Sequence, residues 1–473
     1  MNRKYIDLSK NIGLFTICKF GQRFLSFFLV PVYTNFLTTG EYGTIDIIVN
    51  IVSLLIPIIT IGISSSVMRF TMQNPKDNRY LSYGFTVSFT GLLILCMIGA
   101  FFSFFPVSVL GREYYVLVVM LGACYIFYNL FTDYLRGIGR VSLMVLASAV
   151  NTLVNLVLNI VFIVIFNFGI YGYILGNCCG MVSAVILVEF REKIFRKRLS
   201  CGQLDREEKR EVINYSVPLI ISSIAWWINS SLDRFFIVAI KGASDNGIYS
   251  VAYKIPNILA SFEQVFSQAW LLSAVKEYDK DDKDGYFANM FKMYNSIMTM
   301  ICAIIILFNI LLSRILYAKE FYEAWKCVPI LLLATLFLCL KTFWGVIFTA
   351  VKNTKISAFI SIFSAAVNTL LNLILIPKNG VLGAGIATFI SYFSIYMISL
   401  ILSRKYIDMK INYIKEEVAH VLILIQAICA TTASHLYVVQ IIVVLFLFVL
   451  FYERYIKAVS SVVNQFKLKI KKN

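Results

Sequence analysis

Charged and histidine residues are scarce in this chain. Of 473 residues, only 15% are Asp, Glu, Lys or Arg, and only two, His420 and His435, are histidine. Soluble domains carry about 25% charged residues, so an ordinary soluble protein is excluded. No His, Asp and Glu cluster, CxxC pair or glycine-rich phosphate loop is visible, so the usual residues of metal, redox and nucleotide chemistry are missing. The loop cysteines Cys201 and Cys327 are predicted on opposite sides of a membrane and cannot pair.

Hydrophobic residues make up 59% of the chain, and apolar runs of about 20 residues, the length that crosses a bilayer, recur almost from end to end. The fold class predicted is therefore an all-α polytopic membrane protein with about fourteen transmembrane helices. The predicted spans are 11–33, 44–68, 81–105, 115–133, 142–166, 170–190, 213–240, 247–272, 290–312, 328–350, 356–376, 381–402, 416–434 and 437–452.

The basic charge is distributed unevenly between the two sets of loops. Most of the 43 Lys and Arg residues fall in alternate loops, including 190–210 and the tail KLKIKK. Such an excess marks the cytoplasmic side, so both termini are predicted to be cytoplasmic. The net charge of +17 is therefore explained by the orientation of the chain in the membrane and by contact of its basic loops with the inner leaflet. No nucleic-acid partner is predicted. The longest outside loop, near 313–327, leaves no room for an extramembrane catalytic domain.

The chain contains an internal duplication. NTLVNLVL at 151–158 recurs as NTLLNLIL at 368–375, and each copy precedes a G-x-x-G turn. A weaker echo joins EYGTIDIIVNI, from Glu41, to DNGIYSVAYKI, from Asp245. An even number of spans per half gives both halves one orientation, as in transporters built from two related bundles. The predicted domains are a first six-helix bundle, a cytoplasmic linker, a second six-helix bundle and a terminal helix pair with its basic tail, at 1–190, 191–212, 213–403 and 404–473.

Basic and polar side chains share one face of the first predicted span. Lys19 and Arg23 are four residues apart, with Gln22 and Ser26 close to the same direction. An unpaired cation at mid-membrane costs about 2.5–3.5 kcal/mol, so this face should meet a wet cavity or an anionic partner. Snorkelling of Lys19 to the inner surface is the alternative.

The eighth predicted span carries a longer polar stripe, within about 80° at 100° per residue. Its residues are Ser250, Lys254, Asn257, Ser261, Gln264 and Gln268. The seventh span has a thinner stripe that includes Ser230 and Arg234, although local pairing of Asp233 with Arg234 is an equal alternative. Lys341 is a further mid-span cation.

Three other sets of polar residues lie in the predicted spans. Glu263 points away from Lys254 and is predicted either to pair with another helix or to serve as a proton or cation site. Asn151 and Asn155 in the first half, and Asn368 and Asn372 in the second, are predicted to hydrogen-bond between helices.

The opening SKNIGLFTICKFGQRFLSFFLVPVYTNFLTTGEYGTIDIIV, the NTLxNLxL repeats with their G-x-x-G turns and the two related halves together resemble a known family. The chain resembles the Wzx-type lipid-linked oligosaccharide flippases, in the superfamily of the MATE exporters and the lipid II flippase. The resemblance implies two six-helix bundles facing each other in a V around a central cavity, plus two C-terminal helices, in a bacterial cytoplasmic membrane. It also implies an undecaprenyl-pyrophosphate-linked glycan as substrate, moved by alternating access for O-antigen or capsule synthesis.

A cationic route suits a pyrophosphate, so Lys19, Arg23, Arg234, Lys254 and Lys341 are the predicted substrate-binding cations. No cofactor is predicted, and a coupling ion, H⁺ or Na⁺, is left open, as are a polysaccharide polymerase and a chain-length regulator as partners.

Two alternatives differ in class. A MATE-type cation-coupled multidrug exporter would need acidic residues where the first span has basic ones. An O-antigen polymerase or ligase, which is an enzyme, would carry a large outside loop that this chain lacks.

Overall fold

A computed structural model describes residues 27–105, 110–199, 202–351, 353–432 and 437–470. Across these residues the chain is helical, with no strand. Ten of the described helices are long and apolar enough to cross a membrane. The all-α polytopic class is thereby confirmed, whereas the count of fourteen spans stays a prediction. The fold divides into two compact units, 1–247 and 248–473.

The described part of the first unit comprises nine helices and the start of a tenth. They are α1 (Phe27–Phe36), α2 (Thr39–Ile59), α3 (Ile63–Gln73), α4 (Arg79–Phe104), α5 (Tyr115–Gly137), α6 (Val141–Ile160), α7 (Gly169–Glu192), α8 (Ile194–Leu199), α9 (Arg206–Lys241) and the start of α10 (Ala243–Ala252). A 3₁₀ turn (Arg112–Tyr114) precedes α5, and a π-helical turn (Val161–Ile165) ends α6.

The starts and breaks of these helices follow from local sequence. Thr38 and Glu41 form a capping box at the start of α2, in which each side chain bonds the other residue's backbone N–H. The predicted span 44–68 is interrupted at 60–62, three residues after Pro57. There Gly62 adopts φ 57°, a conformation that glycine takes without steric cost.

The core of the first unit lies where α3, α4, α5 and α7 meet. Phe85, Leu130, Phe131 and Tyr134 are each at most 1% exposed. Residues this deeply buried fix the packing of the helices around them, because a close-packed interior tolerates little change in volume.

The described part of the second unit completes α10 and adds seven further helices. They are α11 (Pro256–Lys276), α12 (Tyr286–Leu307), α13 (Asn309–Leu316), α14 (Val328–Ala350), α15 (Thr354–Ser403), α16 (Tyr413–Thr432) and α17 (Tyr437–Ile470). A 3₁₀ segment (Lys319–Lys326) separates α13 from α14.

Two departures from regular helix shape the second unit. The predicted span 247–272 is broken at 253–255, and α11 restarts with Pro256 in its first turn, where proline's missing N–H costs no hydrogen bond. In α15, Gly380 has φ 55° and ψ −134°, so two predicted spans, 356–376 and 381–402, are joined across a kink.

The centre of the second unit is α14, most of whose residues are buried. Its Phe343 ring stacks on Trp270 of α11, with centroids 4.6 Å apart, and lies edge-on to Phe291 of α12 at 5.3 Å. Offset and edge-on aromatic pairs of this kind add to the stability gained from burial alone.

The boundary at Gly247 separates two packed units, whereas the predicted domain boundaries separate two copies of a sequence repeat. By packing, α9 belongs to the first unit, because it lies against α2 and α3. By sequence repeat, α9 opens the second copy. The predicted division into two six-helix bundles, linker and terminal pair stays a prediction about the duplication.

Candidate functional site

The predicted site is spread over several helices, and part of it lies outside the described residues. Lys19, Gln22, Arg23 and Ser26 precede Phe27, where the description begins. The structure therefore places Arg234, Lys254, Lys341 and the polar residues around them.

Arg234 of α9 is paired with a carboxylate on α2. Its Nε lies 3.1 Å from Asp46 Oδ2, and the two side chains are only 13% and 20% exposed. Arg234 Nη1 also donates to the carbonyl oxygen of Ser230, at 2.6 Å. The charge of Arg234 is therefore balanced by a partner 188 residues earlier in the chain, a partner that neither alternative in the sequence analysis named.

Asn246 of α10 extends this polar cluster. Its Nδ2 donates to the Gly43 carbonyl oxygen at 3.0 Å and to Asp46 Oδ2 at 3.3 Å. Asp46 thus forms an ion pair with α9 and accepts a hydrogen bond from α10, so α2 is joined to both helices at one level.

Beside this cluster, α2 and the start of α10 cross at two glycines. A Cβ on Gly43 would overlap the Ala243 carbonyl oxygen and lie 2.8 Å from the backbone nitrogen of Gly247. A Cβ on Gly247 would overlap the Thr39 carbonyl oxygen. Both glycines are four residues after a small residue, the small-xxx-small pattern by which membrane helices bring their backbones together.

Further along, α9 stays in contact with α2 and α3. Trp227 Nε1 donates to the Asn50 carbonyl oxygen at 2.9 Å, and the hydroxyls of Ser66 and Ser216 lie 2.5 Å apart in a buried setting. The predicted stripe on α9 is therefore partly occupied by contacts within the first unit, while Ser230 remains half-buried.

At the other end of α9, Arg79 links the first turn of α9 to the loop that precedes α4. Its guanidinium donates to both carboxylate oxygens of Glu208, at 3.1 and 2.9 Å, and also bonds Asp77. These hydrogen bonds from Arg79 hold the pKa of Asp77 below its usual value. A bidentate arginine fork of this kind fixes orientation as well as distance.

The polar stripe of α11 is exposed over most of its length. Asn257, Gln264 and Gln268 are exposed, and Ser261, half-buried, donates to the Asn257 carbonyl oxygen at 2.7 Å. The opposite face is buried, with Leu259 at 0% and Trp270 at 2% exposure. The predicted polar face is therefore exposed from Asn257 onward, and its position on a solvated cavity stays a prediction.

Lys254 and Ser250 fall on the other side of the break at 253–255. Lys254 lies in the break itself and is half-buried, whereas Ser250 is only 4% exposed. The idea of one uninterrupted stripe from Ser250 to Gln268 is wrong, because Pro256 restarts the helix and changes its register.

Lys341 of α14 lies near an acidic residue. It interacts electrostatically with Glu263 of α11, and both side chains are half-buried. This agrees with the prediction that Glu263 has a partner on another helix.

The repeated asparagines lie in packed helix pairs. Asn155 Oδ1 accepts from Asn159 at 3.2 Å, and Asn368 Oδ1 accepts from Asn372 at 2.9 Å. Asn368 also reaches Thr388, at 3.5 Å, on the far side of the Gly380 kink. In the first unit, a Cβ on Gly180 of α7 would lie 2.6 Å from Asn151 Oδ1. The Asn155 and Asn368 bonds to residues four positions later lie within one helix, and of these bonds only the Asn368–Thr388 contact joins two helical segments as predicted.

Sequence reasoning missed a buried network in the second unit. Glu416 of α16 accepts from Asn295 of α12 at 2.7 Å and from Arg454 of α17 at 3.0 Å. Asn295 Oδ1 also lies 3.0 Å from His420 Nε2. The network joins α16 and α17 to α12, and no spacing in the sequence marks it, since Asn295, Glu416 and Arg454 lie far apart in the chain. Among the described residues, no group of three or more His, Cys, Asp or Glu side chains is placed to hold a metal ion.

Comparison with known proteins fits these observations. Residues 8–271 match the model of a family described as "Polysaccharide biosynthesis protein". The chain belongs to this family. The match covers more than half of the sequence and supports a transporter, not an enzyme.

Three curated relatives extend the comparison. An uncharacterized membrane protein of Methanocaldococcus jannaschii is 23% identical over 80% of this chain and 93% of its own length. The capsular polysaccharide biosynthesis protein CapF of Staphylococcus aureus is 28% identical over 39% of this chain and 47% of its own. The probable low-salt glycan biosynthesis flippase Agl15 of Haloferax volcanii is 25% identical over 39% of each chain.

Solved structures share the fold. The lipid II flippase MurJ, in an inward closed conformation, is similar with a TM-score of 0.67 at 16% identity, over 94% of this chain and 99% of its own. An inward-facing MATE multidrug transporter of the MOP superfamily has a TM-score of 0.64 at 14% identity, over 81% of this chain and 94% of its own. The chain therefore combines membership of the polysaccharide biosynthesis protein family with the fold of these transporters.

Proposed function

We propose that this protein moves undecaprenyl-pyrophosphate-linked oligosaccharide repeat units from the inner to the outer leaflet of a bacterial cytoplasmic membrane, with both termini cytoplasmic. The family match, the two glycan-related relatives and the likeness to a lipid II flippase support a lipid-linked glycan as the cargo. The product would serve O-antigen or capsule synthesis.

The observation that carries this proposal is the exposed polar face of α11. Asn257, Gln264 and Gln268 lie on a helix whose opposite face is packed in the second unit, and amide side chains exposed to hydrocarbon would lose hydrogen bonds to water. A wet face at membrane depth suits a cargo with many hydroxyls and a pyrophosphate. The polyprenyl tail would stay in lipid throughout the cycle.

Cations along the route would offset the charge of the pyrophosphate, whose desolvation alone would prohibit crossing. Lys254, half-buried in the break before α11, is adjacent in the chain to the polar face and is the described cation best placed for this role. Lys19 and Arg23 would add charge from the first span, with Arg234 and Lys341 contributing when their carboxylate partners separate. Alternating access would then expose this route to each side in turn.

The fold does not decide between a flippase and a cation exporter, since MurJ and MATE structures match almost equally well. The described charges favour an anionic cargo. Asp46 is ion-paired with Arg234, and Glu263 interacts electrostatically with Lys341, so each of these acidic residues has a basic residue near it.

Replacement of the cations tests the proposal. Arg23→Ala and Lys254→Ala should each abolish surface polysaccharide at unchanged protein level, with lipid-linked repeat units accumulating in the cytoplasmic leaflet. Lys254→Arg should retain function because the charge remains. Lys276→Ala, at the exposed end of α11, is the control and should transport normally. Normal transport by both alanine variants, or by Arg23→Glu, would overturn the electrostatic account.

Driving force and partners are part of the same proposal. A proton or sodium gradient imposed separately on proteoliposomes should show which ion, if either, accelerates flipping. Co-purification with a polysaccharide polymerase and a chain-length regulator tests the proposed assembly, and neither outcome alters the substrate assignment.

A further inference from the structure

An apolar cavity of about 460 Å³ lies in the first unit among α4, α5, α7 and α8. Its floor includes Phe85 and Phe131, each 1% exposed. Its rim includes Phe89, Val182 and Phe195, which are 53%, 44% and 45% exposed. A cavity with a buried aromatic floor and an exposed apolar rim on membrane helices opens toward lipid, and its volume falls in the range of about 300–1,000 Å³ typical of small-molecule sites.

One charged residue, Arg198 of α8, lines this cavity. Its guanidinium carbon lies 4.9 Å from the centre of the Phe85 ring, so the cation is held over the aromatic floor. Neighbouring Lys197 is paired with Glu192 at 2.9 Å. Arg198, by contrast, has no carboxylate within ion-pair distance in the described part of the chain.

The backbone places Arg198 at the end of the apolar volume. Lys193 adopts φ 51°, which ends α7 and turns the chain into α8. Ile194 is fully buried, so α8 is anchored at its first residue and its basic residues follow at the membrane boundary. The charge asymmetry of the sequence predicts this boundary to be the cytoplasmic one, where anionic lipids give the leaflet a negative surface potential.

We propose that this cavity binds an anionic phospholipid of the inner leaflet, with an acyl chain on the Phe85 and Phe131 floor and the phosphate on Arg198. The apolar lining fits a hydrocarbon chain, and the unopposed guanidinium fits a phosphate, which arginine can bind through two hydrogen bonds. Basic pockets between membrane helices on the cytoplasmic side are typical of such sites. The bound lipid would link α8 to α4 and α5, independently of the proposed transport route.

Native mass spectrometry of the delipidated full-length protein, titrated with phosphatidylglycerol or phosphatidylcholine, tests the site. Wild type should retain one phosphatidylglycerol with at least tenfold preference over phosphatidylcholine, and Arg198→Gln should remove that preference, since a hydrogen bond to a charged group is worth about tenfold or more in affinity. Arg196→Gln is the matched control, because Arg196 is exposed on the same short helix and does not line the cavity. Ala123→Phe, which fills the cavity, should abolish retention of the lipid.

A second measurement uses the native thiol of Cys124, which lines the cavity. Labelling of Cys124 by membrane-permeant N-ethylmaleimide, read by peptide mass spectrometry in delipidated wild-type protein in detergent, should slow at least tenfold when phosphatidylglycerol, but not phosphatidylcholine, is added. Equal retention of the two lipids, equal labelling with and without phosphatidylglycerol, or displacement of the phospholipid by polyprenyl phosphate would overturn the proposal. Because the labelling needs no substitution, a variant that fails to fold does not prevent the test.

Discussion

Gly43 and Gly247 align in the predicted repeat, and they lie against each other. Aligning EYGTIDI with DNGIYSV pairs Gly43 with Gly247 and, four residues earlier, Thr39 with Ala243. In the structure each glycine approaches the carbonyl oxygen that precedes the other glycine by four residues. The contact is therefore reciprocal, which is the relationship expected of duplicated helices that cross at their own pseudo-symmetry axis.

Adding one methyl group at this crossing should separate the two helices. Gly43→Ala would place a Cβ within overlap distance of backbone atoms, which cannot rotate away as a side chain can, so we expect a loss of about 1–3 kcal/mol in stability and a loss of transport. Gly40→Ala, one turn earlier on α2, meets nothing within 4 Å and is the control. Thermal unfolding in detergent checks both variants, and equal stability would show that the crossing is loose.

The Asp46–Arg234 pair should behave as a coupled unit. Asp46→Asn leaves a largely buried guanidinium without its counter-charge. Breaking a fully buried pair costs about 3–5 kcal/mol, and a smaller loss is expected here because the two side chains are 13% and 20% exposed. The exchanged double variant, Asp46→Arg with Arg234→Asp, should recover part of the loss. A double-mutant cycle on unfolding measures the coupling, and strictly additive single effects would contradict it.

Some of this arrangement could be predicted from sequence and some could not. The helical class and the exposed polar face of α11 follow from hydropathy and periodicity, which depend on residues within one segment. The partner of Arg234 does not, because Asp46 precedes it by 188 residues, and only the folded chain brings α2 beside α9. Ser250 is a third case. It fits the helical period of the polar stripe, but the chain breaks before Pro256, and Ser250 therefore lies in a buried position.

The terminal helices should depend on Glu416 for their attachment to α12. Glu416 is 1% exposed and is bonded by Asn295 and Arg454, so Glu416→Gln leaves Arg454 without its buried counter-charge and should cost about 3 kcal/mol. Glu417→Gln is the adjacent control, since Glu417 is 38% exposed and contacts His420 at 3.4 Å. Hydrogen exchange in 437–455 should accelerate in the first variant and not in the second. If hydrogen exchange in 437–455 is similar in the two variants, the Glu416 network does not anchor the terminal helices.

The predicted topology can be tested with single cysteines placed in predicted loops and at the two termini. A cysteine at Arg196, in the loop predicted to be cytoplasmic, should react with an impermeant thiol reagent only after the cytoplasmic membrane is permeabilised. A cysteine at Glu320, in the longest predicted outside loop, should react in intact cells whose outer barrier is open. Cysteines at Asn2 and Lys471 should behave like the one at Arg196. The reverse pattern at any position would contradict the orientation drawn from the positive-inside asymmetry.

The last prediction separates a wet face of α11 from a lipid-facing one. Gln264 and Val265 are adjacent and both exposed, Val265 at 40%, but successive residues of a helix point about 100° apart. If the stripe faces water, a cysteine at Gln264 should react with a charged methanethiosulfonate roughly tenfold or more faster than one at Val265, because the thiolate that attacks the reagent forms in water and not in hydrocarbon. Leu259→Cys, at a fully buried position, should react with neither a charged nor a neutral reagent. Equal protection at Gln264 and Leu259 would mean that the stripe is packed against protein, and the proposed polar route along α11 would be lost with it.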